Sequence, residues 1–367
     1  MNERGREKSD NIEGPSTAPG QARARVPFSQ ASQVERLDAH TYRIHLHADY
    51  CIGAVPNGGY TASCMLAAAR AHLASRGQPD TLTAHFEYPS RTAAGPAVVV
   101  VEPVKLGRQL STLHLTLWQG RLADHAPWYT PGASRRAVLA YATHANLSAW
   151  RGLSLPAGYQ ARPEAALPRL PDWEALAASG SDPAWRVARL PDTAVARGSP
   201  SSWRMCLPRR GPLSPGALDL WIATASGDPI TQAALPYVVD SFPYELLAFL
   251  VAADDGDDGD DDDDDDDDDD KAPRAAGAAS ARAILGGGRD DMWLPTVVMN
   301  LETKKLLPRE GVAWLCVRVT SKQIRDGRLD LSVVVRDLHG DIVALAGQVA
   351  MMLSMERNTG KTDKAAL

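Results

Sequence analysis

The order of expected elements in this chain occurs twice, and that constrains its fold more than any other feature. A strand-like stretch at Tyr42 to His47 leads through a Pro-Asn-Gly-Gly turn into an Ala-rich helical run from Tyr60 to about Ser75. Four strands then follow, Leu82 to Tyr88, Ala97 to Leu106, Ser111 to Gln119 and Ala137 to His144, each rich in Val, Thr or aromatic residues and bounded by Gly or Pro. The plan returns with a strand at Leu218 to Ala225 and a helix from Thr231 to about Val251. Strands at Thr296 to Thr303, Ala313 to Ile324, Leu329 to Asp337 and Ile342 to Met352 complete it. The segments GRQLSTLHLTLWQG, Gly107 to Gly120, and GRLDLSVVVRDLHG, Gly327 to Gly340, fall at the same place in the two plans. One long helix followed by antiparallel strands buries its apolar surface by wrapping a sheet around the helix. The residues themselves therefore predict an α+β protein with an internal duplication.

At 367 residues the chain has room for two domains and flanking tails. The expected organisation is a tail at 1–27, an N-terminal domain at 28–149, a linker at 150–215, a C-terminal domain at 216–356 and a tail at 357–367. Within the second domain, 252–290 is expected to be a disordered acidic insertion, because its like charges repel. The linker is crowded with Pro, Ala and Arg, with a short helix expected at Trp173 to Ala178.

Fifteen aspartates between Asp254 and Asp270 outweigh the whole formal net charge of −6, so the rest of the chain is mildly basic. A basic surface suits an anionic small molecule; such surfaces also serve solubility or loosely attract nucleic acid, and no nucleic-acid partner is expected. Cys51, Cys64, Cys206 and Cys316 form no CxxC pair, which points to buried free thiols rather than a zinc site or a disulfide framework. No apolar run reaches the ~18 residues of a membrane span, and the first residues hold no secretory core, so a cytoplasmic location is expected. The chain contains no Gly-x-Ser-x-Gly elbow, P-loop, His-Glu-x-x-His or Gly-x-Gly-x-x-Gly after a strand, and no metal or cofactor is expected.

The segment CIGAVPNGGYTASCMLAAARAHL and the following TLTAHFEYPSRTAAGPAVVVVEPVKLGRQLSTLHLTLWQG resemble the N-terminal half of the thioesterase-like superfamily related to acyl-CoA thioesterase II. The second half resembles the matching C-terminal domain, so the likeness runs from about Phe28 to Met355. It implies a double hotdog, two fused units each with an antiparallel sheet around a long helix. It also implies hydrolysis of an acyl thioester carried by CoA or a carrier protein, and association into a homo-oligomer.

In that family a carboxylate on the second helix, a threonine at the start of a following strand and a glutamine on the last strand hold the hydrolytic water. By position these fall on Asp240, Thr296 and Gln348. Asp240 lies in an apolar stretch where burial would raise its pKa and suit it to act as a base. Its bland reading is a cap where the helix restarts at Pro243. Thr296 after Pro295 can simply begin a strand, whereas Gln348 sits among apolar neighbours and needs polar partners if buried. Gly58, Gly59 and Tyr60 at the first helix start, with Arg108, are the candidate substrate contacts; each also has a structural reading, as a tight turn or an ion pair. The first helix has no Asp or Glu, so one catalytic site per chain is expected. The residues after Thr296 are Val-Val-Met-Asn rather than the family's Asp-His-Ser, and the acidic insertion separates Asp240 from Thr296 by an unusual length. Two other functions fit a hotdog chain, a non-catalytic acyl-CoA or acyl-carrier binding protein and a hydratase or dehydratase, although no Asp-His pair is evident near Asp240.

Overall fold

A computed structural model of the protein describes residues 25–155, 157–159, 165–212, 216–242 and 292–358. The acidic insertion, nearly all of both expected tails and the second helix beyond 242 lie outside the described residues. In chain order the first half contains β1 (Thr41–Leu46), α1 (Gly58–His72), β2 (Asp80–Glu87), β3 (Gly95–Leu106), β4 (Ser111–Gln119) and β5 (Arg135–Ala145). A middle stretch carries α2 (Trp173–Ser179), β6 (Trp185–Val187) and β7 (Trp203–Pro208). The second half contains β8 (Ala217–Thr224), α3 (Leu235–Val239), β9 (Thr296–Thr303), β10 (Leu315–Thr320), β11 (Arg328–Arg336) and β12 (Ile342–Met351).

All of these strands join one antiparallel sheet of fourteen strands, in which the first half runs β1-β3-β4-β5-β2 and the second continues β9-β12-β11-β10-β8. Counted inward from its own edge, each half shows its strands in the same order, first, third, fourth, fifth, second. The duplication expected from the sequence is thus present in the pairing, and the two echoed segments form the equivalent strands β4 and β11. The halves meet where β2 pairs with β9, Glu87 opposite Val298 and Thr83 opposite Glu302.

Helix α1 begins where Asn57 caps it, its Oδ1 accepting from the Tyr60 N–H at 2.9 Å. It is buried on nearly every side, Tyr60, Ala62, Met65, Ala68 and Ala69 being wholly inaccessible, because the sheet curves around it. A run of alanines is what such a helix needs, since small side chains let a sheet approach from several directions. Of the helix expected from Thr231 to about Val251, the described residues hold a short turn at Gln232–Ala234 and α3 at Leu235–Val239, which ends at Asp240; the rest of the expected run from 243 on lies outside them.

The expectation that 150–215 is only a linker is corrected. Strand β7 pairs with β8, and β6 pairs with β7, so this stretch extends the sheet by two strands. Buried Trp185, Cys206, Trp221 and Cys316 form a second small core beneath it. Its proline and arginine content gave no strand signal because its short strands are defined by their neighbours rather than by alternation. A buried ion pair holds the stretch down: Arg318 donates to both carboxylate oxygens of Asp219 at 2.7 Å and to the Ala166 carbonyl at 2.7 Å.

Removing one member of such a pair strands the other charge away from water. Arg318→Ala is therefore expected to lose about 3–5 kcal/mol of unfolding free energy in urea titration, with the double variant Asp219→Ala/Arg318→Ala losing less than the sum of the two single changes.

Candidate active site

Asp240 is the residue on which the two halves converge. It closes α3 as C-cap, yet its carboxylate turns away from its own helix toward the start of α1. One oxygen, Oδ2, accepts the Gly59 N–H at 2.7 Å, while the other, Oδ1, accepts the Thr296 hydroxyl at 2.9 Å. Asn57 Nδ2 donates to the Asp240 backbone carbonyl at 3.0 Å. A buried carboxylate at a helix N-terminus has the partial positive charge of that terminus and free N–H groups to answer it. The other reading of Asp240, as a cap where a helix restarts at Pro243, turns on residues from Pro243 onward, which lie outside the described residues.

The approach of the two helices is close enough to exclude a side chain at the contact. A Cβ on Gly59 would lie 2.1 Å from the Pro236 carbonyl oxygen and 2.6 Å from Asp240 Cβ. Gly59 is thus required by helix packing, and its N–H is occupied by Asp240. Gly58 lines a cavity of about 210 Å³ beside Asp240, but Gly59 does not.

Thr296 reaches the inner side of the sheet by an irregularity in β9. Met299, Leu301 and Thr303 alternate toward the core, which would turn Thr296 outward, but the pairing with β12 shifts register between Thr296 and Val298. Such a bulge re-aims a side chain and is common beside functional sites. Gln348 needs no such device: opposite Met299 and Leu331, it already faces inward. Its Nε2 donates to the Val239 carbonyl at 2.8 Å, which fixes the amide's orientation, and its buried Oε1 has no protein partner.

The structure therefore brings Asp240, Thr296, Gln348 and Gly58 to one cavity. It does not bring Tyr60 or Arg108 there. Tyr60 is fully buried in the core, its hydroxyl donating to the Ala31 carbonyl at 2.8 Å and its ring stacked on Tyr50 at 4.4 Å. Arg108 is exposed on the turn between β3 and β4. That turn lies at the Asp80 end of β2, since Ser111 pairs with His144 and Asp80 with Ala145, whereas the cavity lies past the Glu87 end. The expectation of a substrate contact is corrected for Tyr60, whose side chain is closed off in the core, and Arg108 does not line the cavity.

Two residues that line the cavity were not singled out from the sequence. Asn57 stands in the Pro-Asn-Gly-Gly turn, where an Asn before a helical run is a legible cap, but its link to Asp240 spans the two halves. Tyr88, just past β2, donates its hydroxyl to the Gly58 carbonyl at 2.9 Å, and no local pattern announces a partner thirty residues away. Phe242, Trp293, Leu329 and Leu331 supply much of the apolar wall.

Burial is the main cause that pushes the Asp240 carboxyl up from its usual 3.8 to about 6, against the opposing hydrogen bonds from Gly59, Thr296, Asn57 and Gly58. Among the described residues no group of three or more His, Cys, Asp or Glu side chains is placed to hold a metal ion. All four cysteines are buried and unpaired, and no described helix is long and apolar enough to cross a membrane.

Residues 46–145 match the acyl-CoA thioesterase N-terminal domain and residues 169–352 the acyl-CoA thioesterase C-terminal domain. The chain belongs to this acyl-CoA thioesterase family of thioester hydrolases. The thioesterase-like protein TwmA of Talaromyces wortmannii is 55% identical over 344 residues, covering 93% of this chain and 97% of that protein. Among solved structures, a hot dog fold protein of unknown function from Alicyclobacillus acidocaldarius matches with a TM-score of 0.59 at 18% identity, over 90% of this chain and 98% of its own. The acyl-CoA thioesterase II TesB2 of Mycobacterium marinum matches with a TM-score of 0.53 at 16% identity, over 89% and 98% of the two chains. The fold is the double hotdog.

Because the folded protein holds the Asp240 proton more tightly than the unfolded chain, this group's contribution to stability is fully present below pH 3.8 and is lost as pH rises through about 6. Asp240→Asn cannot ionise, so its melting temperature relative to wild type is expected to rise between pH 5 and pH 8. Thermal melts across that range check it; a gap that stays constant with pH contradicts the assignment.

Proposed function

We propose that this protein hydrolyses an acyl thioester of CoA or of an acyl carrier, with Asp240 as the base that activates water and Thr296 and Gln348 as the groups that orient it. The observation that carries this reading is the pairing of an elevated, buried carboxyl with an unpartnered amide oxygen on one cavity. The strongest bonds to the Asp240 carboxylate come one to each oxygen, from Gly59 and Thr296, and the group lines the cavity from which a water can reach it. A water that donates one proton toward Asp240 and the other to Gln348 Oε1 satisfies the orphaned oxygen and points its own lone pair at a bound carbonyl.

The water oxygen then bonds to the thioester carbon while its proton passes to Asp240. Collapse of the tetrahedral intermediate breaks the C–S bond, and the Asp240 proton goes to the departing thiolate. The products are the carboxylic acid, which ionises in solution, and the free thiol. A pKa near 6 suits both steps, since the group is mostly ionised at neutral pH yet is basic enough to accept a proton. The apolar walls around Phe242, Trp293 and Leu331 suit an acyl chain, and their low polarity strengthens every charge interaction at the site. The mild positive charge outside the acidic run favours the anionic carrier. A cytoplasmic location and a homo-oligomeric state belong to the same reading.

The test is thiol release from acyl-CoAs of increasing chain length. Asp240→Asn is expected to lower kcat by about a thousandfold. In wild type, kcat/KM is expected to fall as pH drops through about 6, where Asp240 becomes protonated. Full turnover by Asp240→Asn would remove it as the base. Saturable acyl-CoA binding without thiol release by the folded wild type would favour a binding protein instead.

A further inference from the structure

The carbonyl of Gly58 and the N–H of Gly59 belong to one peptide unit, and both of its ends are held. Tyr88 donates its hydroxyl to the carbonyl at 2.9 Å, and the N–H donates to Asp240 Oδ2 at 2.7 Å. We infer that Tyr88 is a positioning residue for the reaction, clamping the Gly58–Gly59 peptide so that its N–H stays on the Asp240 carboxylate. The inference rests on the reading of Asp240 as the base.

Three features make the clamp specific. Tyr88 is itself held by the seam between the halves, its N–H donating to the Val297 carbonyl at 3.0 Å one residue past Thr296. Its ring lies against the same glycine, since a Cβ on Gly58 would sit 3.4 Å from two ring carbons and 3.1 Å from Asp240 Oδ2. The hydroxyl also remains a donor at working pH, because burial and then the Asp240 charge hold the phenol well above its ordinary range.

A peptide group that accepts a hydrogen bond at its oxygen becomes a stronger donor at its nitrogen. Tyr88 therefore acts on Asp240 through the peptide, favouring its ionised form and limiting rotation of the glycine pair. Facing Asp240 are Asn57, Gly58 and Gly59 from the start of α1, Tyr88 after β2, Thr296 from β9 and Gln348 from β12. Tyr88 is the one ionisable member of that set; Arg91, on the same cavity wall, is the charged neighbour. Asp240 thus takes its hydrogen bonds from neutral donors, and the strength of each decides its basicity.

The test is Tyr88→Phe in the full chain, which keeps the ring beside Phe86 and removes only the hydroxyl. The acid limb of the kcat/KM profile is expected to move up by about half a pH unit. Turnover is expected to fall about tenfold from looser positioning, with KM changed by less than about twofold. A second readout does not depend on turnover: the melting advantage of Asp240→Asn over its parent stops growing once pH passes the folded pKa of Asp240, and that levelling-off pH is expected to move up by the same amount in the Tyr88→Phe background. An unchanged acid limb together with an unchanged levelling-off pH would overturn the clamp. If Asp240→Asn keeps full activity, the base assignment fails by itself, and the levelling-off pH alone decides whether Tyr88 acts on Asp240.

Discussion

The antiparallel seam between Thr83–Glu87 and Val298–Glu302 sets where everything else at the site can be. Because the pairing is in register over these residues, the end of β2 and the start of β9 lie side by side, and Tyr88 is delivered next to Thr296. The same seam makes one sheet of two curved ones, so the helix of each half is brought against the other. Their contact at Gly59 and Pro236 leaves no room for a side chain, and it lets a carboxylate at the end of one helix reach the N–H groups at the start of the other. A site that needs both halves follows from the way the sheets join.

Asp240 shows how burial and hydrogen bonding compete to set a chemical property. Taking a carboxylate out of water favours the protonated form, and the four neutral donors around it favour the ionised form. Burial wins by a margin that leaves the group near 6 rather than trapped as an acid. A lysine or arginine bonded to it would have lowered that value and left a poorer base. The use of backbone, hydroxyl and amide donors is therefore part of the chemistry as well as of the packing.

Several of these features were legible in the residues. The duplicated order of elements, the boundaries of β4 and β9 and the Pro-Asn-Gly-Gly turn that leads into the first helix follow from alternation and turn chemistry, both local properties of the backbone. Asp240, Thr296 and Gln348 were named through a family resemblance, and the fold brings them together despite the changed residues after Thr296 and the long acidic insertion. A surface insertion lengthens the chain between two points with little effect on the free energy of bringing them together. Tyr60 and Arg108 were misplaced for complementary reasons. An aromatic residue beside a glycine pair has the same pattern whether it faces ligand or core, and an arginine after a turn glycine does not reveal at which end of the sheet its hairpin lies.

The sequence by itself determined that this protein is a duplicated α+β chain, where its main strands begin, and that a few polar residues stand in apolar surroundings. Tertiary structure decided which of them meet. It added β6 and β7 to the sheet, turned Thr296 inward through a register shift, and directed Asp240 to the other half's helix rather than to its own. It also recruited Asn57 and Tyr88, whose partners are distant in the chain. The physical reason is that periodicity and capping act over a few residues of backbone. The direction of a buried hydrogen bond, by contrast, is set by whichever group the packing of the two halves leaves unpaired at that point.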